Sequence, residues 1–156
     1  MAGRKHSELG LTLVELIVAF TILSLLCGMV VPLARYKVRR DRERELRWAL
    51  HEMRQAVDKY KDMCDQNKLG MVKQGTECYP ESLDILVEGV KQSGKIDTKI
   101  RLLRRIPKDP MTNSFDWGKR SMQDDPKSNS WGGQNVFDVY TKSTAKAGDG
   151  TQYNEW

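Results

Sequence analysis

Side chains that commonly carry chemistry are sparse in this 156-residue chain. His6 sits in a charged N-terminal stretch and His51 in a helix-patterned one, neither close to a Ser or Cys nucleophile motif. Cys27, Cys64 and Cys78 form no Cys-X-X-Cys or Cys-X-X-Cys-His spacing, so zinc, thioredoxin-like and haem-attachment chemistry have no scaffold. There is no Gly-rich phosphate loop either, and an enzyme is not expected. The ionisable group in the most unusual setting is Glu15, the sole charged side chain among the 24 residues from Leu11 to Ala34. A carboxylate within hydrocarbon costs about 2.5 to 3.5 kcal/mol. Glu15 therefore has a partner or a task, or it lies near enough to the headgroups to escape that cost.

The elements that would position Glu15 follow from composition and period. Lys and Arg number 26 against 21 Asp and Glu, a net charge of +5, and the mean hydropathy is −0.60. This is room for one small domain plus an appendage. The basic excess is local, because residues 35–54 hold eight basic and four acidic side chains while the rest is nearly neutral. Such a band beside an apolar run meets lipid headgroups or neighbouring acids more readily than DNA, and no nucleic-acid partner is expected. The run itself exceeds the roughly 20 helical residues that cross about 30 Å of hydrocarbon. It is too long for a secretory signal and no Ala-X-Ala follows it. Gly28 and Pro32 interrupt its far end, where the missing proline N–H predicts a kink or loosening.

Beyond it, Leu46, Ala49, Leu50, Met53, Ala56, Val57, Tyr60 and Met63 keep the i, i+3, i+4 spacing of an amphipathic helix. One helix from about Leu11 to about Gln66, on the order of 80 Å long, is the simplest structure. Tyr79-Pro80-Glu81-Ser82 opens a second, shorter helix with Pro at its start, Leu83, Leu86 and Val87 on one face and Gly89 as its stop. Residues 91–105 are too irregular to assign. Val136 to Tyr140 alternates as a strand does, after a turn at Trp131-Gly132-Gly133.

Gly10-Leu11-Thr12-Leu13-Val14-Glu15, after a charged leader with Arg4, Lys5 and Glu8 and before the apolar run, resembles the class III signal of type IV pilins and type II secretion pseudopilins. The resemblance implies cleavage after Gly10 by a prepilin peptidase and methylation of the new N-terminus at Leu11, where most members carry Phe. It implies that Glu15 neutralises the terminal amine of an adjacent subunit, and that Gly28 and Pro32 loosen the helix as subunits assemble. The fold implied is α+β, a long N-terminal helix on a small head with a short helix and a C-terminal antiparallel sheet. The chain then divides into a leader (1–10), a transmembrane and fibre-core helix (11–34), its amphipathic continuation (35–66) and a periplasmic head (67–156).

Ile106-Pro107-Lys108-Asp109-Pro110-Met111-Thr112-Asn113 resembles the Pro-X-Asp-Pro-Trp-Gly-Asn signature of the major, G-type pseudopilin, with Met111 and Thr112 in place of Trp-Gly. In that subtype the tail binds calcium. Asp138, Asp149, Thr151 and Glu155 are the candidate ligands here, the family's Gly-Ala-Asp-Gly pattern is missing, and a solvated turn is the alternative. No other cofactor is expected. The periplasmic setting implied by the resemblance permits a disulfide between Cys64 and Cys78, while Cys27 reads as apolar packing. Charge counting opposes this orientation, since the leader has two basic residues and Arg35, Lys37, Arg39 and Arg40 follow the span; the cleavage signal outweighs it.

The function implied is a structural subunit of a secretion pseudopilus, anchored by a single span in the inner membrane of a Gram-negative bacterium. Its partners would be further copies of itself, minor pseudopilins, the prepilin peptidase and the inner-membrane assembly platform. The alternatives are a type IV pilus subunit and a single-span binding module that never polymerises.

Overall fold

The computed structural model describes residues 12–94 and 98–156. It is α+β: a 53-residue helix α1 (Leu13–Asp65), a short helix α2 (Leu83–Glu88), strands β1 (Val90–Lys91), β2 (Lys99–Ile100), β3 (Gly118–Arg120) and β4 (Asp138–Tyr140), and a 3-10 turn at Tyr153–Glu155. Such a long helix ahead of a small head is consistent with a pilin-like fold. The chain forms two compact units, the first ending at Arg40 and the second spanning Asp41–Trp156, so the division falls inside α1.

Helix α1 starts one residue after Thr12, whose Oγ1 accepts the Glu15 main-chain N–H at 3.3 Å. Thr12-Leu13-Val14-Glu15 is thus a Thr-X-X-Glu capping sequence, with the threonine satisfying one of the helix's orphan donors. Helical backbone continues through Gly28 and Pro32 without a break. At the other end the Lys68 N–H reaches the Met63 carbonyl (2.9 Å) and the Asn67 N–H that of Cys64 (2.8 Å), with Asn67 left-handed at φ 54°. This is a Schellman stop built on Asn in place of Gly.

The second unit's core forms on the amphipathic part of α1. Leu46, Ala49, Leu50, Met53, Ala56, Val57, Tyr60 and Cys64 are buried against Leu69, Leu83, Leu86, Leu103, Trp117, Val136, Val139, Ala147 and Tyr153. Ser82 is the N-cap of α2 and Gly89 its C-cap at φ 94°, so Pro80 precedes the cap and does not open the first turn as its position suggested. Pro80 is buried, and its carbonyl accepts the Val136 N–H at 2.7 Å.

Two antiparallel pairs complete the head. β1 pairs with β2 (Val90 opposite Ile100), starting one residue before the irregular span 91–105, and β3 pairs with β4 (Gly118 opposite Tyr140). The expected strand at Val136 to Tyr140 narrows to Asp138–Tyr140, because the Val136 N–H is committed to Pro80. Gly118 has a steric reason: a Cβ there would lie 2.4 Å from ring carbons of Tyr140. Cys64 and Cys78 are joined by a disulfide, with Cα atoms 5.6 Å apart. It closes the loop between the end of α1 and the approach to α2.

Candidate functional site

The candidate site is the surface of α1 in the first unit. From Leu13 to Leu33 its large apolar side chains are 51 % to 73 % exposed, Phe20 at 70 % among them. An 18-residue window within the helix has a mean hydropathy of 2.6 and none of it is buried. Among the described residues none of this segment is buried, and it has the length and composition to cross a membrane. Thr21 donates its hydroxyl to the Val18 carbonyl at 2.8 Å, so its polar group is satisfied inside the helix's own ladder.

Glu15 lies in the first turn, exposed, with its backbone held by Thr12. A carboxylate in the first turn suits the positive end of a helix. At Gly28 an added Cβ would meet no atom within 4 Å, so within the chain nothing requires glycine there. Pro32 has no N–H to give the Gly28 carbonyl, and the helix carries that lost bond in its exposed part. Cys27, expected as apolar packing, is a free and exposed thiol in the single chain. Gly10 and Leu11 lie outside the described residues.

In the head, the Pro-rich loop is organised by a fully buried carboxylate. Asp109 Oδ1 accepts the Met111 N–H at 2.8 Å, and Asp109 Oδ2 accepts the hydroxyls of Thr112 at 2.9 Å and Thr141 at 2.5 Å. The Asp109 main chain adds two bonds, from its N–H to the Ser114 carbonyl and from the Asn113 N–H to its own carbonyl, both 2.8 Å. Asn113 takes φ 57°, where Asn is among the least strained of non-glycine residues. Trp117 Nε1 donates to the Pro107 carbonyl at 2.8 Å. The motif is a turn locked at both ends, and Thr141 ties it to the end of β4.

The four candidate calcium ligands do not form one oxygen cage. Asp138 is clamped by two guanidiniums, Arg54 Nε at 2.7 Å on Oδ1 and Arg120 Nη1 at 3.3 Å on Oδ2. Arg54 also reaches the main-chain oxygens of Val139 and Trp156, and Arg120 those of Ser128 and Asn154. Asp149 and Thr151 do come together, but through a closed turn in which Asp149 Oδ1 accepts both the Thr151 N–H (3.0 Å) and its hydroxyl (2.7 Å). The Thr151 hydroxyl, and next its amide, hold the Asp149 carboxyl below the usual carboxylate value. Among the described residues no three His, Cys, Asp or Glu side chains gather as a metal site. The donor set does not fit a calcium ion, because a cation beside Asp138 would face two arginines.

Two features of the head escaped the sequence reading. The Arg54–Asp138–Arg120 network joins residues far apart in the chain, with no local signal. Tyr153 donates to Glu43 at 2.7 Å, and Arg47 lies 4.2 Å from the Trp156 ring centroid, which fastens the tail on α1.

Residues 5–31 match the family model described as the prokaryotic N-terminal methylation motif. This is the signal of type IV pilin and pseudopilin subunits, a structural class processed by prepilin peptidase and assembled into polymers. The match covers Gly10, Leu11, Glu15 and Gly28. No curated protein and no solved structure matches the chain.

Proposed function

We propose that the chain is a structural subunit of a type II secretion pseudopilus, cut after Gly10, methylated at Leu11 and polymerised through the first half of α1. The observation that carries this reading is the methylation motif on a helix whose apolar surface is exposed all round. In the membrane that surface meets lipid; in a fibre it meets the same surface of other copies. Glu15 pairs with the Leu11 amine of a neighbour, and a buried pair broken at one partner costs about 3 to 5 kcal/mol. The pair therefore fixes register and admits subunits one at a time. Residues 1–10 are the leader, 11–34 the span and fibre core, 35–66 the continuing helix and 67–156 a periplasmic head. The secretion role over a true pilus rests on the Ile106–Asn113 turn, whose Pro-X-Asp-Pro core is built round Asp109.

Glu15→Ala leaves cleavage after Gly10 intact, because the peptidase acts upstream of it, while incorporation into a cross-linkable polymer falls at least ten-fold. Immunoblots for processed subunit and for in-cell cross-linked multimers measure the two steps; normal incorporation of the variant would sink the pairing role. A deletion strain should lose exoproteins from the medium and keep twitching motility. The reverse result would make the chain a pilus subunit.

A further inference from the structure

The first unit of α1 carries a second feature next to its apolar surface. Arg35, Lys37, Arg39 and Arg40 fall within six consecutive positions that include no acid, and all four side chains are exposed. Taking about 100° per residue, Arg35, Lys37 and Arg40 project at roughly 0°, 200° and 140° round the axis, within about 8 Å of its length. Arg39 adds a fourth charge at roughly 40°. The cations thus spread over about 200° of the circumference, more than one face of the helix. A groove on a protein or the backbone of a nucleic acid engages cations along one side of a helix, whereas a charged layer that the helix pierces engages all of them.

Two further observations identify the layer. The apolar part of α1 from Leu13 to Ala34 spans about 33 Å, a little more than the hydrocarbon, so residues 35–40 emerge at headgroup depth. Tyr36 is exposed there, with the Arg40 guanidinium 5.8 Å from its ring centroid, and tyrosine concentrates at that depth in membrane proteins. We infer that Arg35, Lys37 and Arg40, with Tyr36, form a collar that binds anionic phospholipid headgroups where the helix leaves the bilayer. The inference rests on the membrane-anchored reading above. It also gives a reason for the charge count that opposes that reading's orientation: anionic headgroups on the head's side supply the counter-charge.

The test uses the full chain reconstituted in phosphatidylcholine vesicles with trace spin-labelled phosphatidylglycerol or phosphatidylcholine. The motionally restricted fraction gives the relative affinity for each lipid. The wild-type chain should prefer phosphatidylglycerol, with the preference falling at high salt. The Arg35→Gln/Lys37→Gln/Arg40→Gln variant should lose it by up to about five-fold per charge; glutamine keeps the helix, being close to Lys and Arg in propensity. Insertion of both chains with equal selectivity overturns the collar and leaves the anchored reading standing. Failure of the chain to insert overturns both.

Discussion

Asp109 is the residue on which most of the head's local order converges. A fully buried carboxylate is tolerated because three donors from two segments surround it. Asp109→Ala leaves the Thr112 and Thr141 hydroxyls without their acceptor and should destabilise the head by about 3 kcal/mol. Thr141→Val removes one donor and should cost about 1 to 2 kcal/mol. Urea unfolding followed by tryptophan fluorescence, to which buried Trp117 contributes, reads both. Asp124 works at the surface. Its Oδ2 accepts the Gly132 N–H at 3.0 Å and the Ser121 N–H at 2.7 Å, and these bonds, Gly132's first, hold its carboxyl below 3.8. A carboxyl depressed by folding stabilises the fold above its unfolded pKa, and that contribution disappears as pH falls through the lower, folded value. Carbonyl-carbon NMR should place the Asp124 midpoint below 3.8, and Asp124→Asn should abolish this share of the acid sensitivity. The Pro-rich turn was legible as a turn, since its prolines and Asn113 announce one. Asp109's role was not, because Thr141 stands 32 residues away. Thr12 did carry a local signal, since the Thr-X-X-Glu spacing marks a helix start.

The elements differ in legibility for a physical reason. Helix α1 declares itself by its period, and its expected limits, Leu11 and Gln66, differ from the observed Leu13 and Asp65 by one or two residues. Strands of two or three residues, such as β1, β2 and β3, are too short for alternation to register, and Gly118-Lys119-Arg120 has no strand-like composition. They form because long-range partners supply what local preference lacks. The Cys64–Cys78 bridge closes a loop with a separation of 14 residues beside the Schellman stop of α1. Its loss, by Cys64→Ser/Cys78→Ser, should lower the head's stability by about 3 kcal/mol. A lower urea midpoint with a steeper slope is the expected signature, because the unfolded chain without the bridge exposes more surface; an unchanged midpoint would show the bridge to be dispensable.

At the scale of the whole molecule, sequence and structure divide the labour unequally. The described part of the first unit is readable as a helix, because one apolar run sets it. The second is held together by bonds across the chain: Arg54 to Asp138 at 84 residues, Arg54 to Trp156 at 102 and Tyr153 to Glu43 at 110. The tail, for which the sequence leaves both a calcium loop and a solvated turn open, is a strap, with Asp149 closing its own turn and Asp138 facing two arginines. A loop rich in Asp and Gly serves either use, and only its partners decide. The strap also has a consequence in time. Bonds of such separation close slowly, because the loop entropy is lost before the contacts form. They also require Tyr153 and Trp156 to be present beside α1. In the periplasmic placement proposed above, a head emerging from a translocation channel residue by residue would lack these contacts until Tyr153 and Trp156 had crossed. On that proposal, export would leave a window in which the core is open to chaperones and proteases, its length set by the slowest contact.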